Sequence, residues 1–221
     1  MWAEGFEIHP GVLGREEARS LSSAIERSPI ERSRAGARHL LGIPAVAAVA
    51  HDSRLRAIAD RALGADAHPF RATLFAKAER SNWLVVWHQD IALPLRERRE
   101  VPGWGPWSVK AGVVYAHAPA EPLSRVVALR VHLDDSTADN GPLRVLPCTH
   151  GLGVLSDERI HELAASVEAV DCTVPSGGIV VMRPLLVHSS SKAIFTEQRR
   201  VVHIEYAASF DLGSGLELRV A

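Results

Sequence analysis

Hydrophobic positions fall into two textures along the chain. In residues 14–28 (GREEARSLSSAIERS), Ala18, Leu21 and Ile25 recur at three- and four-residue spacing behind Glu16 and Glu17, acids that the helix dipole favours in a first turn. A short amphipathic helix is predicted there. A second is predicted over 52–63, capped by Asp52 or Ser53, with Leu55, Ile58, Ala59, Ala62 and Leu63 as its apolar stripe and Gly64 as its stop. Beyond His68-Pro69 the segments become period-two or solidly apolar, separated by clusters of Pro, Gly, Asn and Asp. Strands are predicted at 70–78, 83–89, 109–116, 125–134, 142–147, 178–183, 186–190 and 199–208. Residues 168–174 are a candidate ninth, and 156–166 reads as a helix capped by Ser156.

A helical stretch over 1–68 followed by eight short strands over 69–210 predicts a mainly β protein, a double-sheet jelly roll with the N-terminal helices packed on one sheet. Two connections, 91–108 and 117–124, are too long for tight turns and are candidate lid segments over a binding site. The charge run RERRE at 96–100 reads as a solvated loop.

Composition narrows the picture further. With 221 residues at 47% hydrophobic, the chain can bury one sizeable core, so a single domain over 1–221 is expected. The formal net charge of −1 lacks the attraction that nucleic acid or an anionic membrane needs, and neither is expected as a partner. There is no signal-like apolar run at the start and no stretch near 18 apolar residues, so a cytoplasmic protein, monomer or homodimer, is the expectation. Cys148 and Cys172 lack a second pair, which excludes a disulfide framework and a four-thiolate zinc site; both are expected to be reduced and structural.

Eleven histidines turn attention to metals. Two imidazoles and a carboxylate on one face of an iron(II) ion leave positions open for a chelating cosubstrate and dioxygen. The spacing His-x-Asp supplies two such ligands, because residues i and i+2 of a strand point the same way while the residue between, here Gln89, points away. The chain offers it twice, at His88/Asp90 and at His132/Asp134. A distal histidine on the seventh strand of a jelly roll is separated from a pair on the second by four intervening strands. Four predicted strands separate Asp90 from His188 and at most three follow Asp134, which also opens the turn-forming run DDSTADNG. The count favours His88, Asp90 and His188 as metal ligands and catalytic centre, with His203 the nearest rival to His188. Arg199 opens an apolar strand and offers a planar fork to a carboxylate; Arg200 competes, since only one of two successive residues points inward.

In order along the chain, WHQD at 87–90, VHLDDSTADNGPLRVLP at 131–147, and HSSS followed by RR between 188 and 200 resemble phytanoyl-CoA dioxygenase family proteins. The resemblance spans roughly residues 70–208 and implies a cupin-like, iron(II)- and 2-oxoglutarate-dependent dioxygenase that uses O2 to hydroxylate a small-molecule substrate, releasing succinate and CO2. It implies His88, Asp90 and His188 as iron ligands and Arg199 as the 2-oxoglutarate arginine, with Ser190 and Lys77 as further cosubstrate contacts. Where the family often reads Pro-Gly-Ser-His, this chain has Pro147-Cys148-Thr149-His150. An aspartate at position 90 argues against a halogenase, which needs that coordination position free for a halide. Family members act on unrelated substrates, so the coenzyme A thioester of the family name does not transfer. Candidate substrate contacts are Trp104, Trp107, Lys110, Tyr115 and His117, which combine apolar walls with polar handles. Two other readings remain open: a metal enzyme of this fold that does not use 2-oxoglutarate, and a jelly-roll binding module without turnover.

Overall fold

The computed structural model describes residues 3–33, 36–78, 82–194 and 198–221. In chain order the elements are β1 (Phe6–His9), α1 (Arg15–Arg27), β2 (Gly36–Ala37), α2 (Pro44–Ala50), α3 (Ser53–Leu63), β3 (His68–Lys77), β4 (Val85–His88), β5 (Ala92–Leu95), β6 (Trp107–Lys110) and β7 (Val113–His117). They continue with α4 (Ala120–Ser124), β8 (Val126–His132), β9 (Leu143–Val145), α5 (Asp157–Ser166), β10 (Val170–Cys172), β11 (Ile179–Met182), β12 (His188–Ser190), β13 (Arg199–Ala207), β14 (Asp211–Gly213) and β15 (Leu216–Glu217).

Two antiparallel sheets carry the fold. The larger has the order β1-β11-β8-β13-β3-β2 and the smaller β10-β9-β12-β4. Side-chain alternation gives the large sheet two faces of different character. Val127, Leu129, Val131, Val202, Ile204 and Tyr206 point outward into a core shared with Leu21, Leu55, Ile58 and Ala59 of the N-terminal helices. Tyr206 closes that layer by donating its hydroxyl to the Ala50 carbonyl at 3.0 Å. The opposite face turns inward, where Ala128, Val180 and Met182 meet Leu143, Val145 and Leu186 of the small-sheet side. Along β3 and β13 that inward row becomes polar: Arg199 sits opposite Lys77, His203 opposite Thr73 and Glu205 opposite Arg71. The helices thus take the apolar face, and the polar face is left to line a site.

The three longer predicted helices form close to their expected bounds. Asp52 accepts from the Arg54 backbone N–H at 2.8 Å, Gly64 ends α3 with φ +68°, and Ser156 accepts from Arg159 N–H at 3.3 Å. The mainly β architecture and the helical layer on one sheet hold, and 170–172 supplies the ninth strand.

Several expectations need correction. The first third is not purely helical, because β1 pairs with β11 at the edge of the large sheet. Residues 109–116 are not one strand: β6 and β7 form a hairpin across Ala111-Gly112, whose φ values of +47° and +75° make a left-handed turn that an alanine does not advertise. The supposed lid 91–108 contains β5, paired with β7 despite Pro94, and 117–124 contains α4. These segments are partly a third sheet of order β5-β7-β6. The short α2 escapes a periodicity search because PAVAAVA has no polar face, although Pro44 suits a first helical turn.

Candidate functional site

β4 and β12 are neighbours, and their register places His188 directly opposite His88. Their rings lie 4.2 Å apart between centroids. Asp90 follows β4 and is fixed by its backbone N–H, which donates to the Pro184 carbonyl at 2.9 Å. Its carboxylate lies 3.8 Å from His88 Nε2 and 3.5 Å from His188 Nε2. One potential ligand atom from each of the three lies within 4.8 Å of the others, and among the described residues no other such group of three occurs.

The tautomers follow from what holds each ring. His88 Nδ1 lies 2.8 Å from the Val86 carbonyl, and His188 Nδ1 lies 2.8 Å from the Leu186 carbonyl. A carbonyl only accepts, so each Nδ1 carries the proton and each Nε2 turns a lone pair to the shared centre. This is the arrangement in which a backbone acceptor orients a metal-binding imidazole. Burial, against the opposing pull of Asp90, pushes His188 down to about 4, so the ring is neutral and ready to ligate. Burial alone would raise the Asp90 carboxyl. The positive ends of His188, His88, His203 and Arg71 outweigh it and hold the group well below the usual carboxylate range. Gln89, the residue between, turns away: its amide donates to the carbonyls of Gly153 and Leu185, at 2.9 and 2.7 Å, and accepts from Leu155 N–H at 2.9 Å.

A cavity of about 70 Å³ opens beside the triad, walled by Lys77, Arg130, Ser190 and Arg199 among others. Three cations meet there, and among the described residues Asp90 is the only carboxylate in the wall. Lys77 donates to Ser190 Oγ at 2.7 Å and also to the Ser191 carbonyl. Ser190 Oγ in turn donates to the Gly141 carbonyl at 2.8 Å, and Arg199 Nε donates to the Asn140 carbonyl at 3.2 Å. Gly141 has φ +70°, and a Cβ there would sit 2.5 Å from the Ser191 carbonyl and 3.1 Å from Lys77 Nζ, so this turn admits only glycine. Arg199 Nη1 and Arg130 Nε are buried without a hydrogen-bond partner among the described residues. Burial and the charges of Arg199 and Arg130 pull Lys77 down to about 7, and burial with Arg130 pulls Arg199 down to about 10. Orphaned donors and mutually repelling cations in a buried pocket are the signature of a site shaped for an anion.

A second cavity, of about 410 Å³, lies on the other side of His88 and Asp90 and is lined by Arg38, Arg71, Lys110, His117, His203 and Glu205, with apolar walls such as Ile91 and Ile160. Of the candidate substrate contacts it takes Lys110 and His117. Trp104 and Trp107 instead pack at the margin of the Leu93–Leu95 core, and Tyr115 is buried with its hydroxyl 3.0 Å from His39 Nε2.

The rivals separate cleanly. Arg200 points to the helix side, where its guanidinium meets Asp134 at 2.7 and 2.8 Å and also pairs with Glu26. Asp134 is thereby taken, while His132 points into the core with neither ring nitrogen hydrogen-bonded. His203 is buried on the inward row and is bonded to Arg130. Arg130 itself escaped the sequence reading because it sits in the apolar run VVALRVH; a lone charge in a strand otherwise fully buried was the available signal.

The family model "Phytanoyl-CoA dioxygenase (PhyH)" matches residues 12–202. The chain belongs to this family. Members of the phytanoyl-CoA dioxygenase family are iron- and 2-oxoglutarate-dependent oxygenases. A curated relative, L-proline trans-4-hydroxylase of Streptomyces griseoviridis, is 25% identical over 175 residues, which are 67% of this chain and 58% of that protein. The chain therefore spans less than two thirds of that relative's length. Among solved structures, AviO1 of Streptomyces viridochromogenes superposes with a TM-score of 0.67 at 23% identity, covering 96% of this chain and 91% of that one. HygX of Streptomyces hygroscopicus, solved with nickel and 2-oxoglutarate bound, gives 0.68 at 19% identity over 94% and 84%. EctD of S. alaskensis gives 0.71 at 19% over 93% and 74%. At these identities the structures support the fold.

Proposed function

We propose that this chain is an iron(II)- and 2-oxoglutarate-dependent dioxygenase that oxidises a C–H bond of a small organic substrate, with release of succinate and CO2. The observation that carries the reading is the juxtaposition of two orders of fit. The Nε2 lone pairs of His88 and His188 and the Asp90 carboxylate converge on one point, and a pocket of uncompensated cations opens directly beside it. His88, Asp90 and His188 would hold iron(II), which supplies the oxidising power when 2-oxoglutarate and O2 are present. Arg199 offers its fork to the far carboxylate of 2-oxoglutarate, and Lys77, oriented by Ser190, adds a second cation. Arg130 brings a third charge to the same wall. The protein's own task is to fix the cosubstrate, orient the substrate and exclude water.

A pocket with this charge excess does not suit a metal enzyme indifferent to 2-oxoglutarate, and succinate release separates the oxygenase from a binding module without turnover. The unpaired thiols, Cys148 exposed and Cys172 buried, suit a reducing cytoplasm. Among the described residues no helix is long and apolar enough to cross a membrane. The net charge of −1 gives no support to a polyanionic partner. We read the chain as one domain over 1–221, working as a monomer or homodimer on a small molecule. Succinate release from 2-oxoglutarate under iron, ascorbate and oxygen tests the function; release no greater than in a metal-free control sinks it.

A further inference from the structure

The larger cavity carries its own charge pattern. Arg38, Arg71 and Lys110 face it together, with Glu205, Asp90 and Asp157 as the carboxylates in its wall. Two of those acids are committed. Glu205 takes Arg71 through a two-armed contact, with Nη2 to Oε1 at 2.6 Å, and Asp90 belongs to the triad. Asp157 stands exposed in the first turn of α5 and pairs with neither remaining cation. Arg38 and Lys110 are thus left without a carboxylate partner among the described residues. Lys110 is half-buried above the Tyr115 ring, 5.3 Å from its centroid. Burial, with the charges of Arg38 and Arg71, holds its ammonium below the usual lysine value. Lys110 is half-buried and Arg38 exposed, so an anion entering from solvent can join the two like charges and offset their repulsion.

The pair is separate from the cosubstrate grip. Lys77, Arg130 and Arg199 wall the small cavity, Arg38 and Lys110 wall the large one, and His88, Asp90 and Phe75 line both. A cavity of about 410 Å³ with Ile91, Leu155 and Ile160 on its walls suits a compact molecule with a hydrocarbon body. We propose that the substrate is a small organic acid whose carboxylate is held by Lys110 and Arg38 while its hydrocarbon part lies toward His88 and Asp90. This inference rests on the oxygenase reading for what happens to the acid, but the binding site itself does not need turnover.

The test uses matched acid and amide probes: L-proline with L-prolinamide, hexanoate with hexanamide, benzoate with benzamide. Each is titrated calorimetrically into protein loaded with nickel(II) and 2-oxoglutarate, which fills the cosubstrate cavity without turnover, and again into metal-free protein. At least one acid should bind on the order of tenfold more tightly than its amide. Combined Lys110→Met and Arg38→Met should remove that preference. The proposal is overturned if no acid binds, if acid and amide bind alike, if 2-oxoglutarate displaces the acid, or if the preference survives in the double variant. The acid-to-amide comparison stands on wild-type protein alone, so misfolding of a variant does not decide it. A wild type that prefers the acid yet never releases succinate with iron sinks the oxygenase reading and leaves this carboxylate site standing.

Discussion

Arg130 and His203 face each other across β8 and β13, with Arg130 Nη1 3.1 Å from His203 Nδ1. A guanidinium only donates, so Nδ1 accepts and the imidazole keeps its proton on Nε2, 3.9 Å from Glu205 Oε2. One buried ring therefore links a cation in the small cavity to the Arg71–Glu205 pair in the large one.

That arrangement makes Arg130 a liability to the empty protein. Its side chain is buried and, among the described residues, has no carboxylate partner and leaves Nε unbonded. A buried charge without compensation costs several kcal/mol, more than the roughly 1 to 3 kcal/mol for leaving His203 Nδ1 unbonded in its place. Arg130→Met is therefore expected to stabilise the metal-free protein by about 1 kcal/mol while weakening 2-oxoglutarate on the order of tenfold. Thermal melts and cosubstrate titrations on one preparation check the opposite signs; stability and affinity falling together would mark Arg130 as a packing residue.

Arg199 and Arg200 give a sharper contrast, because one strand turns them to opposite faces. Arg199→Ala should weaken 2-oxoglutarate by about 2 to 4 kcal/mol through loss of a charge-assisted, two-armed contact. Arg200→Ala removes the Asp134 and Glu26 contacts on the helix side and should cost about 1 kcal/mol of stability, since that side chain is only 18% exposed, with cosubstrate affinity unchanged. Cosubstrate titration of the two variants side by side checks this; an Arg200 variant that loses affinity as Arg199 does would undo the assignment.

The alternation rule that separates these arginines also made most of the site readable beforehand. His88 ends β4, Asp90 follows it and His188 opens β12 just after an apolar stretch, so the expected strand order pointed to their meeting. The cationic wall was half visible: Arg199 opens its strand and Lys77 came only with the family resemblance, whereas Arg130 is embedded in VVALRVH and looks like a core position. The region 91–118 was misread because its structure depends on a left-handed Ala111-Gly112 turn and a strand containing Pro94, neither of which local propensity favours. Arg38 was passed over for a related reason. It follows the two-residue strand β2, whose existence depends on pairing with β3 rather than on any local pattern.

Acid should expose the buried histidines. Burial pushes His188 down to about 4 and holds His132 and His203 well below their usual value. These are bases whose folded pKa lies below the unfolded value of about 6.5, so in that window the unfolded chain binds protons that the native state lacks. Stability is then fully present above about pH 6.5 and is lost as pH falls, continuing to about 4 for His188. Glu205, whose carboxyl burial pushes up, works the other way, as one group against three. Near pH 5 the metal-free protein should take up roughly two to three protons on unfolding, a slope of about 3 to 4 kcal/mol per pH unit. Denaturant titrations across that range measure the slope, and a flat profile would show the three rings already protonated or exposed.

Cys148 occupies a position that its side chain does not suit. Its φ of +67° and ψ of −4° lie in the left-handed region, and its backbone N–H is committed to the Glu4 carbonyl at 2.9 Å, which fixes the turn. A residue with a Cβ pays about 1 to 2 kcal/mol for that conformation, whereas glycine adopts it freely. Glycine also adds freedom to the unfolded chain, which offsets the gain by roughly 0.5 to 1 kcal/mol. Among the described residues the exposed thiol makes no hydrogen bond that the replacement would lose. Strain relief therefore outweighs entropy, and Cys148→Gly should stabilise by a few tenths to about 1 kcal/mol, a rise in Tm of about 1 to 3 °C for a chain this long. Cys148→Ala keeps the Cβ and should leave Tm nearly unchanged. Calorimetric melts of the two variants decide the matter: an equal rise in both would point to removal of the thiol, and a fall in the glycine variant would show that the left-handed turn carries no strain.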